Sequence, residues 1–235
     1  MKRALVTSAT SSIGKVIART LSNAGYELVL HYATNAILAG KLAAELKAEV
    51  LQANFEDKNN IKTFVQNLRN QPKFDVIINN AGVSRRNDDK KFDEWEAIFN
   101  INAITPAIIM GYANELVNDD GVIINMSSIY GDERFGFVEM KAYDSSKAAL
   151  NSLTRTFAKQ LAPRVRVNAI APGYVDSRWN KDLGDKERQD LAGEMLMRKF
   201  VTPQQVADLA LHMIQNESLD GEIIYLDGGQ SLKTI

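Results

Sequence analysis

Cysteine is absent from this chain, and histidine occurs only at His31 and His212. Without thiols there is no disulfide framework and no thiolate metal centre, and two imidazoles argue against a histidine-rich one. No apolar run approaches the roughly 18 residues of a membrane span, and that of the N-terminal MKRALVTSAT is too short for a secretory leader. An excess of charge is missing too: 28 Lys and Arg against 29 Asp and Glu leave a net charge of −1. No global field therefore draws nucleic acid or anionic lipid. The expectation is a cytoplasmic protein that engages neither nucleic acid nor membrane. No linker, internal repeat or low-complexity tract divides the 235 residues, of which 45% are hydrophobic and 24% charged. That composition suits one globular domain spanning 1–235.

What is present is a regular alternation of short apolar runs and helical periodicity. Strands are expected at 4–6, 27–32, from 50, and at 74–79, 121–127, 165–170 and 222–226. Between them, apolar residues recur at helical spacing. One such set is Ile13, Val16, Ile17 and Leu21, closed by Asn23-Ala24-Gly25; a second helix is expected over 37–47. Asp57 caps a third carrying Ile61, Phe64, Val65 and Leu68, and one long helix is expected from about 93 to 117. Another runs from Tyr143 to near Pro163. Thr202-Pro203-Gln204-Gln205 reads as a capping box that opens the last. Apolar strands separated by helices predict an α/β fold, a doubly wound parallel sheet of about seven strands with helices on both faces. Right-handed crossovers collect the strand C-termini along one edge, where ligands bind in such sheets.

The residues that suggest chemistry fall at that edge. Tyr143 and Lys147 stand four apart on a helix, so phenol and ammonium share one face. An ammonium there is expected to lower the phenol pKa and make Tyr143 a proton donor or acceptor. Ser128, at the end of the fifth strand, can hydrogen-bond a carbonyl oxygen. Asn102 interrupts an apolar helical stretch, where a buried amide needs a partner or a task. Thr7-Ser8-Ala-Thr-Ser11-Ser12-Ile13-Gly14 follows the first strand, where a helix N-terminus attracts a phosphate. Asn79-Asn80-Ala81-Gly82 closes the fourth strand with small residues that admit a ring or ribose. Each of these has a plain structural reading as a turn or a cap.

In this order, the features resemble a short-chain dehydrogenase/reductase of the single-domain type along the whole chain. The carrying residues are the modified glycine loop, Asn-Asn-Ala-Gly, Asn102, Ser128, Tyr143-x-x-x-Lys147, Asn-Ala-Ile-Ala-Pro172-Gly173 and the terminal Leu-Asp-Gly-Gly. The resemblance implies a Rossmann-like fold and a catalytic set of Asn102, Ser128, Tyr143 and Lys147. In it Tyr143 is the acid/base and Ser128 orients the carbonyl. Lys147 holds the nicotinamide ribose, and Asn102 anchors a water of the proton relay. It also implies nicotinamide contacts from Pro172, Gly173, Val175 and Ser177, an adenine contact from Asn54, a homotetramer, and a substrate lid over about 174–200. Within the lid, Trp179, Leu196 and Met197 either line an apolar pocket or fill the core of a surface helical hairpin. After Gly82, Arg85-Arg86 with Asp88-Asp89 could meet a charged substrate, although such charges are more often simply solvated.

Two departures stand out. Ser8 and Ser12 occupy places where the family has glycine, leaving Gly14 alone. At the end of the second strand Tyr32 stands where users of NAD have an acid, which favours NADP(H). The arginine of many NADP users is missing as well, so His31, Ser11, Thr34 and Asn35 become the polar candidates around the adenosine ribose. The expected activity is reduction of a small-molecule carbonyl, by overall likeness a 3-oxoacyl thioester. A pteridine reductase of the same family is the second reading, and a dinucleotide-binding sensor without turnover is the third.

Overall fold

The computed structural model describes residues 1–87, 89–177 and 183–232. Seven strands form one parallel sheet: β1 (Arg3–Val6), β2 (Glu27–Tyr32), β3 (Glu49–Gln52), β4 (Phe74–Asn79), β5 (Val117–Met126), β6 (Val165–Pro172) and β7 (Ile223–Leu226). Their spatial order is β3-β2-β1-β4-β5-β6-β7. The chain winds outward from β1 through β2 to β3, then returns to place β4 on the other side of β1. That reversal opens a crevice at the C-terminal ends of β1 and β4.

Alternating strand residues feed two cores, as buried parallel strands require. On one face Ala4, Val6, Val76, Ile78, Val122 and Ile124 pack with α1 (Ser12–Asn23), α2 (Ala36–Leu46) and α9 (Pro203–Gln215). On the other face Leu5, Ile77 and Ile123 meet α3 (Lys58–Arg69) and the helices between β4 and β6. The predicted caps form: Asp57 accepts from Asn59 N at 2.7 Å, and Thr202 and Gln205 close a reciprocal capping box.

The stretch from 93 to 117 differs from the single helix expected. It breaks into α4 (Phe92–Phe99), a wide π-helical turn (Asn100–Ile104), α5 (Thr105–Gly111) and α6 (Ala113–Leu116). Pro106 has no N–H to offer the carbonyl of Asn102, so the regular ladder cannot pass this point.

Helix α7 (Lys141–Leu161) lies over the sheet on a seam of small polar groups rather than an apolar stripe. Asn125 donates to Thr154 Oγ1 at 2.9 Å, and Ser127 donates to Asn151 Oδ1 at 2.6 Å. Asn151 in turn donates to the Gly131 carbonyl at 2.9 Å. A Cβ on Gly131 would come within 2.7 Å of the Lys147 carbonyl carbon, so only glycine lets this turn press against the helix backbone. Leu150 and Leu161 are buried, while Leu153 and Phe157 are half-buried on the flank. Register between α7 and β5 is thus set by directional bonds, and this is the register that delivers Tyr143 and Lys147 to the crevice.

Candidate active site

The loop after β1 reaches its tight turn without glycine. Ser8 adopts φ +51°, a left-handed conformation that costs a non-glycine residue on the order of 1–2 kcal/mol. What holds it there is visible. Ser8 N–H donates to Nδ1 of His31 at 3.0 Å, and His31 Nε2 lies 3.0 Å from the Ala53 carbonyl. The ring stacks on Phe55 at 4.1 Å and meets Phe64 edge-on. With Nδ1 accepting, the imidazole is the neutral Nε2–H tautomer. Thr7 adds a second clamp, its hydroxyl oxygen accepting from the backbone N–H of Asn80 and Ala81, each at 2.9 Å. Asn80 Nδ2 donates back to the carbonyls of Thr7 and Ser8 and to Ser11 Oγ. Ser11 caps α1 through Gly14 N–H. Gly14 is indispensable on steric grounds: a Cβ there would lie 2.4 Å from the Ser8 carbonyl oxygen.

These contacts correct two expectations. His31 and Thr7 are both buried, and their polar atoms bind the loop rather than facing a ligand. Burial pushes the His31 pKa down to about 4 from 6.5. The folded state therefore binds fewer protons than the unfolded chain between pH 6.5 and 4, and stability falls as pH falls through that window. The full loss is on the order of 3 kcal/mol. Melting temperature measured from pH 7 to 4.5 should drop, and a His31→Asn variant should show a flatter slope.

One cavity of about 600 Å³ runs from this loop past the ends of β4, β5 and β6. Ser8, Ser11, Ser12, Ile13, Asn80 and Gly82 line one end. Met126, Ser128, Tyr143 and Lys147 line the middle, with Pro172, Gly173, Val175 and Ser177 along the far wall. Gly14, Ala81 and Asn102 lie behind the lining, and Tyr32 and Asn54 lie outside it, Asn54 exposed. The N-terminus of α1, with Ser12 and Ile13 on the wall, offers the N–H groups that suit a phosphate. The residues present thus fit a dinucleotide: an anion-binding helix end at one extreme and a hydroxyl–ammonium group in the middle.

Tyr143 and Ser128 line the middle of the cavity together, close enough for Ser128 to favour the phenolate, and Ser128 Oγ accepts from Tyr130 N–H at 3.2 Å. Lys147 Nζ stands 5.8 Å from the centre of the Tyr143 ring and donates to the Met126 carbonyl at 2.8 Å. The sequence suggested that the ammonium would bring the phenol towards neutrality. The structure shows the opposite balance: burial pushes Tyr143 up to about 12 despite the opposing influence of Ser128, and it pushes Lys147 down to about 8. Desolvation is the largest influence on both groups, so Tyr143 holds its proton at neutral pH.

Asn102 is fully buried. Its Oδ1 accepts from Val83 N–H at 2.8 Å, while Nδ2 donates to the Val83 carbonyl at 2.9 Å and to Ser146 Oγ at 3.0 Å. The amide ties the segment after β4 to α7 and does not point a free group into the cavity. The side chain is thus a brace.

The segment after Gly173 leaves and returns side by side. Asp176 N–H donates to the Val201 carbonyl at 2.7 Å, and Val201 N–H donates to that of Tyr174 at 2.9 Å. Between these lies α8 (Asp185–Gly193). Leu196 and Met197 are exposed and do not line the cavity, contrary to the pocket reading. Trp179 and Asp88 lie outside the described residues. The apolar wall comes instead from Phe137, Met140, Tyr174 and Leu191, of which only Tyr174 adjoins a motif. Arg85 and Arg86 pair with Glu56 and Glu139 on the surface, and Asp89 with Lys141.

Known proteins place this geometry. A family profile described as enoyl-(acyl carrier protein) reductase matches residues 8–231. The 3-oxoacyl-[acyl-carrier-protein] reductase FabG of Staphylococcus aureus is 30% identical over 97% of both chains. A short-chain dehydrogenase from Burkholderia cenocepacia, solved in complex with NADP, superposes with a TM-score of 0.89 at 27% identity over 98% of each chain. The angucycline C-6 ketoreductase LanV, solved with bound NADP, does so at 0.88 and 27% identity, covering 99% of this chain and 96% of its own. Among the described residues no helix is long and apolar enough to cross a membrane. The chain belongs to the short-chain dehydrogenase/reductase family of NAD(P)-dependent oxidoreductases.

Proposed function

We propose that the protein is an NADPH-dependent carbonyl reductase. NADPH, when bound, supplies the hydride that reaches the carbonyl carbon. The chain supplies everything else. Tyr143 donates its proton to the carbonyl oxygen, and Ser128 orients that oxygen from the other side. Lys147 holds the ribose end of the cofactor, and Asn102 positions the wall by bracing Val83. The observation that carries this reading is the convergence of Tyr143, Ser128 and Lys147 on the wall of one cavity with the α1 N-terminus. With its pKa raised to about 12 the phenol keeps its proton at neutral pH, so the form that reduction requires is the one present.

NADP(H) over NAD(H) is supported by Tyr32 in place of an acid at the end of β2, since a carboxylate would repel a 2′-phosphate. NADP in the solved relatives points the same way. A 3-oxoacyl thioester is the first substrate candidate, by likeness to FabG. The segment over 174–200 would act as the lid of one domain. A homotetramer would use the flank of α7, where Leu153 and Phe157 are half-buried; light scattering after gel filtration tests it. Tyr130, Phe137 and Tyr174 form an aromatic wall, and that observation supports the pteridine reductase as the second reading.

Loss of NADPH absorbance with acetoacetyl thioester, crotonyl thioester, dihydropterin and a simple diketone separates the readings. Oxidation by the acetoacetyl thioester or the diketone is expected. Oxidation by crotonyl thioester alone would move the reaction to a carbon–carbon double bond, and by dihydropterin alone to C=N. NADPH binding without turnover of any would leave a sensor.

A further inference from the structure

The cavity contains a polar chain that the proposed reaction leaves idle. The hydroxyls of Tyr130, in the turn after β5, and Tyr174, beside Gly173, lie 3.0 Å apart. Tyr174 stands within reach of both Glu194 and Gln230, and Gln230 Nε2 donates to Glu194 Oε2 at 3.4 Å. All of Tyr130, Tyr174 and Glu194 line the cavity that holds Tyr143. A second carboxylate, Asp144, stands close enough to raise the Tyr130 pKa, as Glu194 also does. Among the described lining residues, Lys147 is the one lysine or arginine.

Elementary donor–acceptor rules set the direction of this chain. An ionised carboxylate can only accept. Tyr174 therefore donates its O–H to Glu194, and its oxygen accepts the O–H of Tyr130. Burial raises both phenol pKa values, so both keep their protons. Tyr130 is left with lone pairs and no proton to give. Tyr143 and Ser128, on the same cavity wall, carry the donors. The site thus has groups built to give hydrogen bonds and others to receive them.

We infer that the substrate is an uncharged carbonyl compound bearing a hydroxyl or amino group remote from the carbonyl, and that Tyr130 and Glu194 receive this donor. The same carboxylates turn away substrates that carry a carboxylate of their own. The inference rests on the carbonyl-reductase reading and narrows its substrate class. A chain that merely satisfied its own buried hydroxyls would discriminate neither donors nor charge.

Acetophenone and its 3-hydroxy, 4-hydroxy, 4-amino and 4-carboxylate derivatives are suitable probes, with NADPH as reductant. For the wild type, kcat/KM for at least one hydroxy or amino probe should exceed that of the parent by about tenfold, with the carboxylate below it. In Glu194→Gln the donor advantage should shrink to under about threefold and the carboxylate should gain on the parent. Tyr174→Phe frees the Tyr130 O–H to donate, so 4-methoxyacetophenone should gain on the hydroxy probe. A structural role for Glu194 would lower all probes alike. Kd values of the same probes for the protein saturated with NADP⁺, read by thermal shift, report the preference without turnover. A donor preference in binding that Glu194→Gln removes upholds the inference even if no probe is reduced, and the carbonyl-reductase reading then fails alone. Turnover or binding with no donor preference, a preference untouched by Glu194→Gln, or binding of none of the probes overturns it.

Discussion

Tyr143→Phe should lower kcat for carbonyl reduction by about 10²–10⁴-fold, the range for removing a positioned general acid. The affinity for NADPH should stay close to that of the wild type. The change deletes one oxygen from a side chain that lines the middle of the cavity, and it leaves the phosphate loop, Lys147 and the bracing amide of Asn102 in place. Ser128 keeps its hydrogen bond from Tyr130 N–H. Steady-state kinetics and NADPH fluorescence titration separate the two effects. Unchanged turnover would remove Tyr143 from the proposed mechanism; a collapse of cofactor binding would make its role structural.

Lys147→Met should act in opposite directions on activity and stability. Lys147 is 3% exposed, and its charge is carried by one hydrogen bond, to the Met126 carbonyl. Its pKa is pushed down from 10.5 to about 8, which puts the cost of holding the charge at pH 7 on the order of 3 kcal/mol. Methionine removes that cost but leaves the carbonyl unpaired, so a gain of roughly 1–2 kcal/mol is expected. At this chain length that corresponds to about 2–8 °C in Tm for the protein without cofactor. Activity should fall by about 10²-fold or more, because the ammonium no longer orders the ribose end of the site. The sign with pH is also defined. Between pH 8 and 10.5 the unfolded chain binds more protons than the folded one, so wild-type stability gains a rising contribution over that window. The variant should lack this contribution. A Tm for Lys147→Met at or below that of the wild type at pH 7 would show that the lysine is better compensated than its surroundings indicate.

These two expectations come from the same physical fact, and it is one that the order of residues does not display. Phenol and ammonium at i and i+4 suggested mutual stabilisation of their charged forms. In the folded protein Lys147 is buried against the turn at Gly131 and the carbonyl of Met126, and Tyr143 is part-buried on the cavity wall beside Phe137 and Met140. Desolvation then works against each charge separately. Periodicity locates two side chains on one face; it says nothing of how much solvent that face retains.

His31 and Thr7 teach a similar lesson. Both sit beside motif positions, and their chemistry suits a ribose or a phosphate. Their actual partners, Ser8 N–H and the backbone of Asn80 and Ala81, lie on segments far apart in the chain. The left-handed Ser8 explains why a loop short of glycines keeps its turn, and no local pattern announces that an imidazole on the neighbouring strand β2 completes it. Tyr130, Glu194 and Gln230 belong to no motif and come together only when β5, the segment before Phe200 and the C-terminal turn converge.

Read as a string of residues, the chain was sufficient for whatever depends on spacing. The alternation of strand and helix, the parallel sheet, the capping box at Thr202, and the gathering of Ser8, Asn80, Ser128, Tyr143 and Pro172 at one edge all follow from short-range pattern plus the handedness of crossovers. Three things were left to the tertiary structure: which polar groups point inward, which are consumed by bracing contacts, and how burial moves their proton affinities. Those quantities depend on neighbours brought together by folding, and a hydrogen bond or a lost hydration shell belongs to the pair of segments that make it, not to either one.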